Sequence, residues 1–131
     1  MSFSTFGRHV IADFYGVSEE MLNNYDFLRS ALHEAARISG ATVVGEQFNR
    51  FEPQGVTGVL VLAESHLSIH TYPEHGFCAI DCYTCGTEVD PEKAYRHLLT
   101  LLKPKKAFER GLMRGTGEIT DLRKELKVVN S

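Results

Sequence analysis

Hydrophobic and polar side chains alternate along residues 66–72, which is the pattern of a β-strand with two unlike faces. One face carries Leu67, Ile69 and Thr71 and is apolar enough to join a hydrophobic core. The opposite face carries polar and aromatic side chains: His66, Ser68, His70 and Tyr72. Because this second face holds more bases and nucleophiles than folding requires, it is the first candidate for a chemical role.

Five further stretches have strand-like patterns: residues 7–15, 41–51, 56–63, 77–84 and 105–114. Residues 56–63 are apolar on both sides, as is typical of a strand inside a sheet. Proline and glycine predict turns at residues 53–55 and 73–76.

Two helices are predicted between these strands. The first begins after Ser18, a favoured N-cap residue, and ends before Gly40, where a helix stop is expected. Its apolar side chains recur at steps of three or four, and a break at Asn23–Asn24 is the less favoured alternative. The second helix begins after Asp90 with proline in its first turn, and Pro104 stops it.

The order of these elements predicts an α+β fold. Strands outnumber helices and many are linked as hairpins, so we expect a two-layer α/β sandwich with a mainly antiparallel sheet and both helices on one face. The other face of the sheet is then left uncovered. At 131 residues the chain is predicted to form a single domain, 1–131, with a loose or peripheral tail from Gly115 onward.

Composition narrows the function classes. The formal net charge of −3 gives no basic excess, so no nucleic-acid partner is expected. The longest apolar run, residues 59–63, is far too short to cross a membrane, and the first fifteen residues do not resemble a signal peptide. Three cysteines within eight residues favour a reducing, cytoplasmic location over a disulfide framework.

Histidine and cysteine supply many zinc-compatible atoms in one stretch: His66, His70, His75, Cys78, Cys82 and Cys85. Strand geometry argues against a metal site, because Cys78 and Cys82 point to one side of their strand and Cys85 to the other. We therefore expect no metal, two buried thiols, and an accessible Cys85 able to transfer a proton. The remaining histidines at 9, 33 and 97 are interpreted as structural or solvated residues.

Three motifs together resemble a known family. They are Glu-Ser-His-Leu-Ser-Ile-His at 64–70, Pro-Glu-His-Gly at 73–76 and Tyr-Thr-Cys-Gly at 83–86. With Gly-Arg-His at 7–9, Phe-x-Pro-Gln-Gly-Val at 51–56 and the Asp90–Pro91 helix start, the chain resembles the short prokaryotic S-adenosylmethionine decarboxylases over residues 7–103.

The resemblance implies a self-processing enzyme. The chain would cut itself between Glu64 and Ser65, giving fragments 1–64 and 65–131, and Ser65 would become a pyruvoyl group. This group would form a Schiff base with the substrate amine and act as the electron sink for decarboxylation, with no added cofactor. The implied role is production of the aminopropyl donor for polyamine (spermidine) synthesis.

The resemblance also implies a role for individual residues. His70 would accept the α-proton of Ser65 during processing, and the hydroxyl of Thr57 would help to stabilise the ester intermediate. Cys85 would donate the proton in turnover. Substrate contacts would come from three residues: Phe51 on adenine, Glu74 on the ribose hydroxyls, and Leu67. The family's dimerisation through its sheet, with sites built from both subunits, agrees with the uncovered face predicted above.

Three positions depart from the family pattern: Thr57 and Ala63, where serine is usual or frequent, and Asn49, where histidine is expected. Asn49 bears on substrate identity, so arginine or ornithine is the alternative substrate for the same pyruvoyl chemistry. A non-catalytic metal- or small-molecule-binding domain is the alternative from another class.

Overall fold

The computed structural model describes residues 5–122. In chain order its strands are β1 (Gly7–Tyr15), β2 (Val43–Arg50), β3 (Val56–Leu62), β4 (Ser65–Tyr72), β5 (Phe77–Cys85), β6 (Lys106–Arg114) and β7 (Thr120–Asp121). Its helices are α1 (Glu19–Leu22), α2 (Tyr25–Ser39) and α3 (Pro91–Leu102), with a short 3₁₀ turn at Pro73–His75.

The strands form one antiparallel sheet in the order β2-β3-β4-β5-β1-β6-β7. Buried side chains of α2 and α3 pack against one face of this sheet and form a single core with it. Leu67, Ile69 and Cys82 belong to that core. The predicted α+β sandwich with helices on one face is confirmed.

The first predicted helix is divided in two, so the favoured prediction of one continuous helix was wrong. Asn24 ends the continuity because its backbone is extended, with φ −97° and ψ 98°, and its side chain caps α2 by accepting a hydrogen bond from the Phe27 amide at 3.0 Å. Asn23 accepts a hydrogen bond from the amide of Gly55 at 3.0 Å. Tertiary contact and local capping together favour the break.

Of the segment after Gly115, the structure describes residues 116–122. They are peripheral, as predicted, but part of them pairs with the sheet. Residues 120–121 pair with Leu112 and Met113 of β6 and form the last edge strand. The rest of the predicted tail, residues 123–131, lies outside the described part of the chain.

The sheet face away from the helices, called the open face below, carries apolar side chains as well as the polar ones. Among its exposed residues are Ile11, Tyr15, Tyr72 and Phe108. A shallow cavity of about 630 Å³ lies at its centre. Over residues 5–122, none of the helices combines the length and the apolar character that a membrane crossing needs.

Removing the cap of α2 tests the helix break. We expect Asn24→Ala to lower the free energy of unfolding by about 1 kcal/mol, because the Phe27 amide loses its acceptor, while Asn24→Ser retains most of the stability. Urea denaturation at one protein concentration measures both. Ser30→Ala, an exposed change on the same helix, is the matched control, and an Asn24→Ala value equal to the control would contradict the capping role.

Candidate active site

The predicted cleavage point lies in the tight turn between β3 and β4. Leu62 pairs with Ser65, so Ala63 and Glu64 form the two-residue turn of a hairpin. The amide of Ala63 donates to the carbonyl of Thr42 at 2.9 Å, and the amide of Thr42 donates to the Glu64 carboxylate at 3.2 Å. The turn is therefore attached to the segment that leads into β2.

Ser65 has a backbone conformation that side-chain-bearing residues rarely adopt. Its φ is +149°, and the only other described non-glycine residue with a positive φ is Lys103, at the end of α3. Such a conformation costs about 1–3 kcal/mol and persists only where the surrounding structure holds it. The strain lies on the residue whose hydroxyl is the candidate nucleophile.

Cys85 provides two hydrogen-bond donors to the carbonyl of Glu64. Its amide lies 3.0 Å from the Glu64 oxygen, and its thiol lies 3.3 Å from the same oxygen. The Ser65 Oγ lies 3.8 Å from the Cys85 Sγ. A nucleophile is thus beside a carbonyl whose oxygen already accepts two hydrogen bonds, the arrangement that stabilises a developing oxyanion.

The three cysteines differ as predicted. Cys78 and Cys82 are buried in the core, and burial raises the pKa of each thiol to about 12, so both stay protonated and unreactive. Cys85 is exposed and lies at the end of β5 on the other side of the strand. The three thiols therefore do not converge on one point, as ligands of a single zinc ion would.

The loop that follows Cys85 is held by Arg8. Its guanidinium donates to the carbonyl of Val89 at 2.8 Å and to that of Thr87 at 3.3 Å. The amide of Gly86 donates to the carbonyl of Phe6 at 2.8 Å. The sequence predicts no structural role for Arg8, because no local pattern relates it to a loop about eighty residues away.

His70 and Thr57 are neighbours on the open face. They pair across β3 and β4, and the Thr57 hydroxyl lies 3.3 Å from His70 Nδ1. Ser65 is on the same strand as His70 but five residues away, which corresponds to about 16 Å of extended chain. Within one protomer, His70 is therefore not brought to Ser65.

The two substrate-binding candidates at the strand ends also lie away from Ser65. Phe51 follows β2 and is 47% exposed, and Glu74 is exposed in the 3₁₀ turn that follows β4. Asn49 pairs with Thr57, so it adjoins the same region of the open face. This end of the sheet holds His70 and both candidates, while the opposite end holds Ser65.

Leu67 has a different position from the other substrate-binding candidates. Its side chain is fully buried in the core beneath the helices. A substrate on the open face cannot contact this side chain, so any contact of Leu67 with it would have to come from the backbone. The alternation along residues 66–72 already placed Leu67 on the apolar face, together with Ile69 and Thr71.

A carboxylate cluster that the sequence did not predict lies next to the cleavage point. The Asp81 cluster consists of Asp81, His9, His66 and Ser68. Asp81 Oδ2 lies 2.7 Å from His9 Nε2 and 2.8 Å from His66 Nε2, and the Ser68 hydroxyl donates to Oδ1. Burial alone would raise the pKa of Asp81, but the hydrogen bonds from His9, Ser68 and His66 outweigh it and hold the pKa well below its usual range.

The interpretation of His9 as an isolated structural histidine was therefore incomplete. Register pairs Ser68 with Asp81 across β4 and β5, and His9 with Tyr83 across β1 and β5. Alternating polar residues in β1 and β5 were the only signal of this cluster in the sequence. The strand order is needed to show that β1 and β5 are neighbours.

Comparisons with known proteins bear on the family to which the chain belongs. A family model described as S-adenosylmethionine decarboxylase matches residues 8–115 of the chain. The S-adenosylmethionine decarboxylase proenzyme of Brevibacillus brevis is 50% identical over 131 residues, covering 100% of this chain and 98% of that protein. The proenzyme of the same name from Symbiobacterium thermophilum is 57% identical over 122 residues, covering 93% of this chain and 92% of that protein.

A solved structure is similar over nearly the whole length. The crystal structure of the adenosylmethionine decarboxylase from Aquifex aeolicus superposes with a TM-score of 0.75 at 36% sequence identity, covering 96% of this chain and 100% of that one. Sequence and fold thus agree over both sides of the predicted cleavage point. The chain belongs to the S-adenosylmethionine decarboxylase family.

Proposed function

We propose that this chain is a proenzyme that cleaves itself between Glu64 and Ser65 and then decarboxylates S-adenosylmethionine to the aminopropyl donor for polyamine synthesis. The observation that carries the proposal is the geometry at Glu64. Its carbonyl accepts two hydrogen bonds from Cys85, and the Ser65 hydroxyl lies next to the Cys85 thiol. Both relatives described above are named proenzymes, which supports the same conclusion.

Cleavage begins with attack of the Ser65 Oγ on the carbonyl carbon of Glu64. The hydroxyl proton moves to the departing Ser65 nitrogen, the C–N bond breaks, and an ester replaces the peptide. Negative charge that develops on the Glu64 oxygen is stabilised by the Cys85 amide and thiol. Release of the strain at Ser65 favours the same step.

The second stage needs a base. Removal of the Ser65 α-proton expels the Glu64 carboxylate and leaves a dehydroalanine, whose imine tautomer takes up water and releases ammonia. Its product is the pyruvoyl group, which supplies the electron-accepting carbonyl for decarboxylation. His70, hydrogen-bonded to Thr57, is the proposed base.

His70 must come from a second copy of the chain. It lies about 16 Å along β4 from Ser65 of its own protomer, beyond the reach of a side chain. A symmetric dimer formed through the open face would bring His70 of the partner subunit to Ser65, and the reverse. Apolar side chains exposed on that face, including Ile11, Val61 and Phe108, support such an interface.

The same dimer would complete the substrate site. Phe51 and Glu74 lie at the His70 end of the sheet, so they would approach the Ser65 end of the partner subunit together with His70. An exposed aromatic ring suits stacking on adenine or on a sulfonium cation, and a carboxylate suits ribose hydroxyls. Exposed Cys85 would donate the proton to the substrate α-carbon after carbon dioxide leaves.

Arginine or ornithine is the alternative substrate, since Asn49 departs from the family pattern beside Thr57. Incubating the processed enzyme with each amino acid separates the possibilities. The proposal is supported if carbon dioxide is released from S-adenosylmethionine and from neither of the other two substrates. It is contradicted if carbon dioxide is released only from arginine or ornithine. The cytoplasm is the proposed location, where the thiols of all three cysteines stay reduced.

Ser65→Ala tests self-cleavage. We expect the wild-type chain of 14.7 kDa to separate into fragments 1–64 and 65–131 under denaturing mass spectrometry, with a pyruvoyl-blocked second fragment. The variant should fold, remain a single chain and release no carbon dioxide, because the nucleophile and the precursor of the electron sink are both missing. A fully active wild-type enzyme that consists of one intact chain would contradict the proposal.

Cys85→Ala separates the two roles proposed for this residue. The cleavage rate should fall by no more than about tenfold, because the backbone amide still donates to the Glu64 oxygen. The kcat for decarboxylation should fall by about 10²–10⁴-fold. Time courses of fragment formation and carbon dioxide release measure the two. Cys82→Ala, at a buried cysteine of the same strand, is the control, and normal kcat in Cys85→Ala would refute the proton-donor role.

Coexpression of two inactive variants tests the shared site. Ser65→Ala and His70→Ala chains should each fail to produce a pyruvoyl end alone. Together at equal levels, about half of the His70→Ala chains should pair with a Ser65→Ala chain and be processed by its His70. The control replaces the Ser65→Ala chain by a Ser65→Ala, His70→Ala double variant, and equal processing in both mixtures would show that His70 does not act across the dimer.

A further inference from the structure

The Asp81 cluster has no part in the steps proposed above, although it adjoins the cleavage point. His66 directly follows Ser65 in the chain, and its ring is bound to Asp81. Asp81 accepts hydrogen bonds from His9, His66 and Ser68. A partly buried carboxylate that accepts three hydrogen bonds stays ionised, so Asp81 can hold the ring of His66 in place.

The tautomer of His9 follows from its contact with Arg114. The guanidinium of Arg114 lies 3.2 Å from His9 Nδ1 and can only donate, so Nδ1 must be the acceptor. The ring proton is therefore on Nε2, which donates to Asp81. Arg114 itself packs over the ring of Tyr83, with its Cζ 4.9 Å from the ring centroid. Arg114 and Asp81 thus hold His9 in one tautomer, with hydrogen bonds that run from Arg114 through His9 to Asp81.

Metal binding is the other chemistry that these residues allow. One ligand atom from each of His9, His66 and Asp81 lies within 4.8 Å of the others. A metal at His9 Nε2 would require the proton to move to Nδ1, where it would oppose the N–H donor of Arg114. The donor set therefore fits a hydrogen-bonded network better than a metal site.

Ser65 is held on both sides. On one side, the Glu64 carbonyl is fixed by Cys85 and the Glu64 carboxylate accepts from the amide of Thr42. On the other side, the first residue of β4 with a side-chain anchor is His66, bound to Asp81. A φ of +149° at Ser65 needs such opposed attachments, because the chain would otherwise relax toward ordinary extended geometry.

We propose that the Asp81 cluster is the positioning device for self-cleavage, with His66 and Asp81 holding Ser65 in the conformation that directs its Oγ toward the Glu64 carbonyl. This role rests on the proposed function, since it concerns the same cleavage. Asp81 and His66 act through the backbone of Ser65 and do not touch the reacting atoms. The step that depends on them is ester formation, which precedes the action of His70.

Asp81→Asn tests the proposal in the full-length chain. We expect freshly refolded proenzyme to form fragments about 10–100-fold more slowly than wild type, because small misplacement of a nucleophile has an effect of that size. Glu46→Gln is the matched control. Glu46 binds His33 and Arg29 with the same chemistry, on the helix-covered side of the sheet, and its loss should leave the cleavage rate unchanged.

Hydroxylamine identifies the step that is slowed, because it cleaves esters. His70→Ala proenzyme is expected to stall at the ester and to be cut by hydroxylamine at Glu64. Asp81→Asn proenzyme is expected to resist hydroxylamine, since its ester forms slowly. An Asp81→Asn chain that hydroxylamine cuts as readily as His70→Ala would overturn the positioning role.

His66 provides an independent test if Asp81→Asn does not fold. His66→Gln keeps an N–H donor for Asp81, whereas His66→Leu fills similar space without one. A charge-assisted hydrogen bond is worth about 1.5–3 kcal/mol, so the glutamine variant should cleave about 10–150-fold faster than the leucine variant. Equal rates would mean that His66 acts only by packing and would overturn the proposal.

The outcomes separate this proposal from the one it rests on. A wild-type chain that never cleaves would refute self-processing itself. Normal cleavage in wild type, Glu46→Gln and Asp81→Asn alike would refute only the positioning role. Sedimentation of each variant checks that slow cleavage does not arise from loss of the dimer.

Discussion

The antiparallel pairing of β4 with β5 is the interaction on which the site depends. Its register sets Ser65 opposite Thr84, which brings the amide and thiol of Cys85 to the carbonyl of Glu64. A shift of one residue would turn Cys85 to the core face and His66 away from Asp81. The buried residues of β5 prevent that shift, because Cys78, Ile80 and Cys82 pack in the core.

The two-layer architecture gives the sheet two different environments. Helices cover one face and bury its apolar residues, while the open face keeps its histidines, carboxylates and aromatic rings accessible. Ser65 and His70 lie near opposite ends of one strand on this sheet. In the proposed dimer, the open faces of two protomers would bring these two ends together in one site.

Much of the fold could be predicted because period-two alternation directly reports which side of a strand is buried. It separated Leu67 from His66, and Cys82 from Cys85, and the structure agrees. The helix break at Asn24 was not favoured, because capping by asparagine competes with a continuous apolar stripe that is visible over a longer range. The family motifs identified Ser65 and Cys85, but their contact depends on a register that no local pattern specifies.

Residue identity and spacing were enough to predict the element types, the apolar face and the chemical groups available. Which of these groups meet depends on the tertiary structure. It joined His9 to Asp81 across β1 and β5, supported the loop after Cys85 with Arg8, and placed Thr57 beside His70 across β3 and β4. These outcomes depend on strand order and register, which arise from packing of the whole core and not from any one segment.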